Sequence, residues 1–87
     1  MTDPYENLAN AIILQAVKDY RKAYKNLKRH PGGHVAALEV RELVHFFTGR
    51  WFEELSDVDG VRLVTDLNRK YDAEIGKEVV PDEVHTA

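Results

Sequence analysis

The sequence predicts an all-α fold, a small antiparallel bundle of three helices, or of four if residues 50–55 form a short helix of their own. Apolar residues recur with a period close to 3.6 in three separate segments. Pro31-Gly32-Gly33 and Gly49 interrupt this pattern, and no stretch alternates in the way that a strand does. We therefore expect a single helical domain over residues 1–76 and an extended or disordered tail over residues 77–87.

The first helix is predicted by its start, its period and its end. Asp3 is a good N-cap, Pro4 suits the first helical position, and Pro31 stops the helix. The basic residues of its second half fall on the face opposite the apolar stripe. Pairing with the acidic third helix could partly cover this basic face. The stripe contains Tyr5, Leu8, Ile12, Ala16, Tyr20, Ala23, Tyr24 and Leu27.

The first half of this helix lacks a polar face. Over residues 10–17, Ala11 and Leu14 point to the side that is basic further along the chain. A helix that is apolar all round is usually buried all round, which an 87-residue domain cannot easily achieve alone. We interpret this segment as a self-association or partner surface; the alternative is that Leu14 is an ordinary exposed leucine.

The second helix is expected to start near His34 or Val35. Gly49 either ends it as a C′ residue or kinks it before a last turn over residues 50–55. Its apolar stripe contains Ala36, Val40, Leu43, Val44, Phe47 and, if the helix continues, Trp51.

The third helix is expected to follow a turn at residues 56–59. Ser56 offers an N-cap, with Asp59 three residues later. We expect the helix to end around residues 72–76. Its apolar face contains Val61, Val64, Leu67, Tyr71 and Ile75, with Leu63 beside them.

Composition limits the classes of function. The chain has 87 residues and no cysteine, which excludes disulfides, a thiol nucleophile and a cysteine zinc site. No apolar run is long enough to span a bilayer, and acidic residues near the N-terminus argue against a signal peptide. We expect no membrane association and a cytoplasmic location.

The net charge of −3 conceals a strong asymmetry along the chain. Residues 18–30 carry six basic side chains and one acidic one, a net charge of +5. Residues 53–87 carry ten acidic and four basic side chains, a net charge of −6. The first helix could therefore bind a nucleic-acid backbone, but a solvated helix face is the simpler interpretation in an acidic chain.

Four of the eight aromatic residues lie within seven positions: Phe46, Phe47, Trp51 and Phe52. Such a cluster either caps the core or forms a binding surface. Phe46 points away from the stripe of the second helix, so we expect it to be partly exposed or to face a partner.

No motif predicts catalysis, and we expect neither enzymatic activity nor a cofactor. His30 and His34 are four residues apart on a turn, which is a weak metal-ligand pattern. The segment from Asp57 to Gly60 fails the spacing of a calcium loop, and no glycine-rich phosphate loop or catalytic triad pattern is present. We expect no metal site.

Two segments resemble a family of uncharacterised short phage and prophage proteins of Gram-positive bacteria. Residues 11–21 fit the pattern A-I-I-x-Q-A-V-x-D-Y-R, and residues 46–60 fit F-F-x-S-x-W-F-x-x-L-T-x-x-D-G. The resemblance covers roughly residues 8–70, with Gly49 in place of Ser and Ser56 in place of Thr. It implies a phage setting, with the host cell as the place where the chain acts, and supplies no mechanism.

Three functions remain open. The leading hypothesis is non-catalytic binding that modulates or inhibits a host or defence-system protein, by a chain that is also a homo-oligomer. The second is an oligomer that sequesters a nucleotide-type ligand through Arg50, Trp51, His30 and His34. The third, less favoured, is nucleic-acid binding through the first helix. The expected partner-binding residues are Leu14, Lys18, Lys22, Lys25, Phe46, Arg50 and Trp51.

Overall fold

A computed structural model describes the backbone of residues 4–86 and the side chains of residues 7–77. This part of the chain forms four helices: α1 (Pro4–Arg29), α2 (His34–Thr48), α3 (Arg50–Leu55) and α4 (Gly60–Thr86). The predicted all-α bundle is confirmed, and residues 50–55 form the short additional helix.

The three long helices alternate in direction. The Tyr20 hydroxyl donates a hydrogen bond to Asn68, and the Tyr24 hydroxyl donates one to Asp72 Oδ1 at 2.8 Å. Both contacts join residues 48 positions apart, so α1 and α4 run parallel. The C-terminal end of α2 lies beside the N-terminal half of α1, where Phe46 adjoins Ile12, so α2 is antiparallel to both.

Aromatic rings from α1, α2, α3 and α4 form the centre of the core. Tyr20, Phe47 and Phe52 are each only 1% exposed. The ring of Phe47 meets those of Tyr20 and Phe52 edge to face, with centroids 5.9 and 5.6 Å apart. Such pairs contribute about 0.5–1.5 kcal/mol each beyond the burial of their area. The remaining core members are Ala16, Tyr24, Val64, Leu67 and Tyr71.

The start of α2 at His34 confirms the expected position. Gly49 ends α2 with φ −93° and ψ 175°, an extended conformation, and its amide donates to the Phe46 carbonyl at 3.3 Å. Gly49 therefore ends α2, which is one of the two outcomes expected for it. Gly49 is thus the only residue between the end of α2 and the start of α3.

The N-cap of α4 is Asp59 and not Ser56, which corrects the prediction. Asp59 Oδ1 accepts hydrogen bonds from the amides of Val61 at 3.0 Å and Arg62 at 3.3 Å. The Ser56 hydroxyl accepts a bond from the amide of Val58 at 3.1 Å and so closes the preceding turn. A carboxylate at this position also faces the positive end of the α4 dipole.

The expected end of the last helix at residues 72–76 is also corrected, because α4 continues to Thr86. Gly76 does not adopt a positive φ and therefore does not form a left-handed cap. A glycine within a helix costs only about 1 kcal/mol relative to alanine, which the helix tolerates. The backbone of residues 77–86 is thus helical, whereas we expected an extended or disordered tail.

Candidate interaction surface

Contacts with α4 engage part of the basic face of α1. Arg21 Nη2 lies 3.0 Å from Glu74 Oε1, and Lys25 Nζ lies 2.7 Å from the same oxygen. Lys28 Nζ is 3.9 Å from Asp72 Oδ1. The two cations at Glu74, Lys25 first and then Arg21, hold the pKa of this carboxyl below its usual range. This is the pairing with the acidic last helix that was considered as an alternative.

Lys25 is only 7% exposed, and this burial argues against the partner-binding role that the sequence suggested for it. Its place on the helical wheel put it among exposed residues, but its flexible stem reaches across to Glu74. Lys18 and Lys22 are exposed, as expected of partner-binding residues. The basic surface that α1 offers to solvent is therefore narrower than the sequence suggests.

The N-terminal half of α1 exposes apolar side chains. Leu14 is 60% exposed, and Ala11 is exposed beside it, as the sequence predicts. Leu8 is 59% exposed, although its place in the apolar stripe predicted burial. With the 48-residue offset, Leu8 is level with the turn before α4, where the α4 helix does not cover it.

The aromatic cluster divides between core and surface. Phe47 and Phe52 are buried, and Phe46 is partly buried with its ring 5.4 Å from that of Phe47. Trp51 is 66% exposed. In the short α3, burial of Phe52 turns the adjacent Trp51 outward, since neighbouring residues on a helix are about 100° apart. Trp51 thus does not continue the core stripe of α2.

Five of the seven large apolar side chains that are exposed in the described part of the chain lie at one end of the bundle, here called the α3 end and comprising residues 8–14 and 46–61. Val58 and Val61 are 54% and 63% exposed there, in addition to Leu8, Leu14 and Trp51. The sequence analysis placed Val61 on the apolar face of the last helix, and its exposure corrects this prediction. Asp59 was the signal that could have shown it, because a cap at Asp59 puts Val61 in the first turn of α4. Arg50 and the acidic side chains Glu53, Glu54, Asp57 and Asp59 are exposed around them.

A shallow groove of about 350 Å³ between α1 and α2 adjoins this end. Ile12, Ala16, Leu43 and Phe46 form its apolar floor, and Gln15 and Asp19 lie at its edge. Phe46 therefore contributes to both the core and an open surface, as the sequence predicts.

The residues considered for a nucleotide site do not meet within one chain. His30 and His34 lie at the turn between α1 and α2, whereas Arg50 and Trp51 follow the far end of α2. The 15 residues of α2 separate the two pairs by roughly 20 Å. A site built from all four residues would require more than one copy of the chain.

Within residues 7–77, no three histidine, aspartate or glutamate side chains are grouped so that they could hold a metal ion. In the same part of the chain, no helix has both the length and the apolar character needed to cross a membrane. All buried side-chain nitrogen and oxygen atoms described have hydrogen-bond partners. The exposed apolar residues are therefore the feature of this region that packing within the chain leaves unexplained.

Comparisons of the chain with protein-family models, with curated proteins and with solved structures find no match.

Proposed function

We propose that the chain is a non-catalytic binding protein that contacts a protein partner through the α3 end. The exposure of Trp51 supports this proposal most directly, because tryptophan is enriched among the residues that dominate binding energy at interfaces and this one is 66% exposed. Val58, Val61 and Leu8 are also exposed at the same end of the bundle. Exposed apolar side chains that share one end of a small domain favour a protein contact there.

The charges around Trp51 favour a partner with a basic contact surface. Residues 50–59 carry four acidic side chains and one basic one, a net charge of −3. Charges at the edge of an interface steer association and select the partner more than they add affinity. In the phage setting that the resemblance implies, the partner is a host or defence-system protein that the chain modulates or inhibits.

The test compares two exposed apolar positions at opposite ends of the bundle. We expect Trp51→Ala to remove at least about 2 kcal/mol of binding free energy, as is usual for a tryptophan hot spot. Leu38→Ala is the matched control, because Leu38 is also exposed, at 55%, but lies near the start of α2. Immobilised wild type and variants would be incubated with host lysate at low salt, and retained proteins identified by mass spectrometry.

A protein retained by wild type and by Leu38→Ala but lost with Trp51→Ala would support the proposal. Trp51 is the only tryptophan in the chain, so its fluorescence reports directly on this surface. A blue shift of its emission on adding the purified partner would confirm that the ring becomes buried. Equal retention by all three proteins, or an unchanged emission in the complex, would contradict it.

A further inference from the structure

A continuous groove, here called the α1–α2 groove, follows the contact between these two helices. The cavity of about 350 Å³ beside Ile12 and Phe46 leads into a second one of about 460 Å³, since Asp19 and Leu43 border both. On α1 the groove extends from Ile12 to Asn26, fourteen positions or about 21 Å. All the described residues that border it belong to α1 or α2. The groove therefore has the length of about four helical turns.

The two parts of the groove differ in chemistry. The part that adjoins the α3 end has an apolar floor, which includes Phe46. The other part has polar walls, with Glu39 and Glu42 on α2 and Lys22 on α1. Both glutamates are exposed, and neither forms an ion pair within the described part of the chain. With Asp19, the groove has three acidic side chains and one basic one, a net charge of −2.

The walls of the groove limit the backbone conformation of an occupant. Both walls are helices, so their backbone amides and carbonyls are used in helical hydrogen bonds. Neither wall offers a strand edge to which an extended peptide could add. An occupant must therefore satisfy its own backbone groups, as a helix does. The side-chain ridge of a third helix also fits the groove between two packed helices.

We propose that the α1–α2 groove binds an amphipathic helix of the protein partner, with an apolar anchor over Phe46 and basic side chains beside Glu39 and Glu42. Charge complementarity selects this occupant, because its cations meet the unpaired carboxylates of the α2 wall. Lys22 on the opposite wall disfavours a helix that is basic on both flanks. The inference rests on the proposed function, since it names the element with which the partner continues from the α3 end.

The spacing along α2 predicts a sequence pattern in the bound helix. Phe46 is four positions from Glu42 and seven from Glu39, about 6 and 10 Å along the helix axis. A helix that lies along the groove has the same rise per residue. We therefore expect lysine or arginine four and seven positions from its apolar anchor.

A displayed library of 14-residue helical peptides with randomised side chains is the probe, so no identified partner is needed. The library is selected on the full wild-type chain, and the retained peptides are sequenced. We expect enrichment of a large apolar residue with basic residues four and seven positions away. In NMR spectra of the chain, such a peptide should shift the amide signals of residues 12–26 and 39–46. No enrichment, enrichment without basic residues, or shifts outside these segments would overturn the proposal.

The double variant Glu39→Lys/Glu42→Lys tests the charge of the α2 wall. We expect it to raise the dissociation constant of a selected peptide at least tenfold, because like charges then face each other. Glu53→Lys/Glu54→Lys is the matched control, since it changes the net charge equally at exposed positions of α3. Its constant should stay within about twofold of wild type by calorimetry at low salt, with circular dichroism to check folding. Equal weakening by both variants would show that net charge alone drives binding and would overturn the proposal.

A second copy of the chain is another occupant that the same variant detects. We expect Glu39→Lys/Glu42→Lys to leave the sedimentation velocity of the chain without peptide unchanged. If the wild type self-associates and this variant abolishes the association, a second copy covers the groove and the proposal is overturned. Failure of either peptide test leaves the proposed function standing, because Trp51 does not border the groove and Trp51→Ala tests that function separately.

Discussion

At the scale of single residues, Gly60 sets how closely the start of α4 approaches the end of α2. A Cβ atom built on Gly60 would lie 1.7 Å from the carbonyl oxygen of Phe47. That atom belongs to the backbone and cannot rotate away as a side chain can. The two neighbouring residues therefore contribute differently: Asp59 caps α4, and Gly60 allows the start of α4 to pack against the backbone of Phe47.

We predict that Gly60→Ala destabilises the protein by about 1–3 kcal/mol or more, the cost of forcing a group into a closely packed site. The measurement is the free energy of unfolding from urea titration followed by circular dichroism. Gly76→Ala is the matched control, because a Cβ at this helical position meets nothing within 4 Å. The control should gain up to about 1 kcal/mol from helix propensity. Equal stabilities of the two variants would contradict this role of Gly60.

The residues that could be predicted are those fixed by helical periodicity. The period identified Tyr20, Tyr24 and Phe47 as core, and all three are buried. It could not identify Lys25, because burial of this cation depends on Glu74, 49 positions away. Nor could it predict that Val61 is exposed. That exposure arises because Asp59 caps α4, so that Val61 lies in the first turn of the helix.

At the scale of elements, the α1–α4 interface combines buried tyrosine rings with polar contacts at its edge. Tyr20, Tyr24 and Tyr71 lie with ring centroids 5.7–6.4 Å apart. Burial raises the pKa of all three hydroxyls above the usual value of 10.0. For Tyr24, the hydrogen bond that its hydroxyl donates to Asp72 raises the pKa further. The interface between α1 and α4 thus favours the neutral form of these three tyrosine side chains.

We predict that stability falls as the pH rises above 10. The pKa values of these tyrosines are raised in the folded state, so their contribution is fully present below the ordinary value of 10.0. Above it, the unfolded chain loses protons more readily than the folded one, and unfolding is favoured. Tyrosinate absorbance near 295 nm and circular dichroism should change together in an alkaline titration.

Tyr24→Phe provides the control for this prediction, because it removes one titrating hydroxyl from the interface. Its loss of stability between pH 9 and pH 11 should be smaller than that of wild type. Ionisation of all the tyrosines near pH 10 with no change in helicity would show that the interface does not hold these groups neutral.

The elements themselves were largely predictable, and their orientations were not. The start of α2 and the bounds of α3 agree with the sequence pattern. The direction in which Trp51 points could not be derived, because six residues are too few to define a face. That direction depends on how Phe52 packs against Phe47, which is a contact between two helices. The sequence therefore identified aromatic residues that contribute to the candidate surface, but it did not show which of them point into solvent.

At the scale of the whole molecule, the parallel pair α1 and α4 is staggered. With the offset of 48 residues, Lys77 is level with Arg29, the last residue of α1. The two helices together then cover about 34 residue levels, or roughly 51 Å at 1.5 Å per residue. The longest dimension of the molecule is 55 Å, in agreement with this stagger. The helical backbone of α4 therefore extends past the end of α1.

The stagger predicts that residues 78–87 can be removed without loss of the fold. Within residues 7–77, the side-chain contacts that join α4 to α1 reach as far as Glu74, and the buried core reaches as far as Tyr71. A chain that ends at Lys77 should keep its free energy of unfolding within about 0.5 kcal/mol of the full chain, as is usual for changes outside the packed region. Urea unfolding followed by circular dichroism measures this difference. A chain that ends at Asn68 is the control, because it lacks Tyr71 and Glu74 and should not unfold cooperatively. If the chain ending at Lys77 loses its cooperative transition as well, residues 1–76 do not form a domain on their own, and the last part of α4 stabilises the bundle.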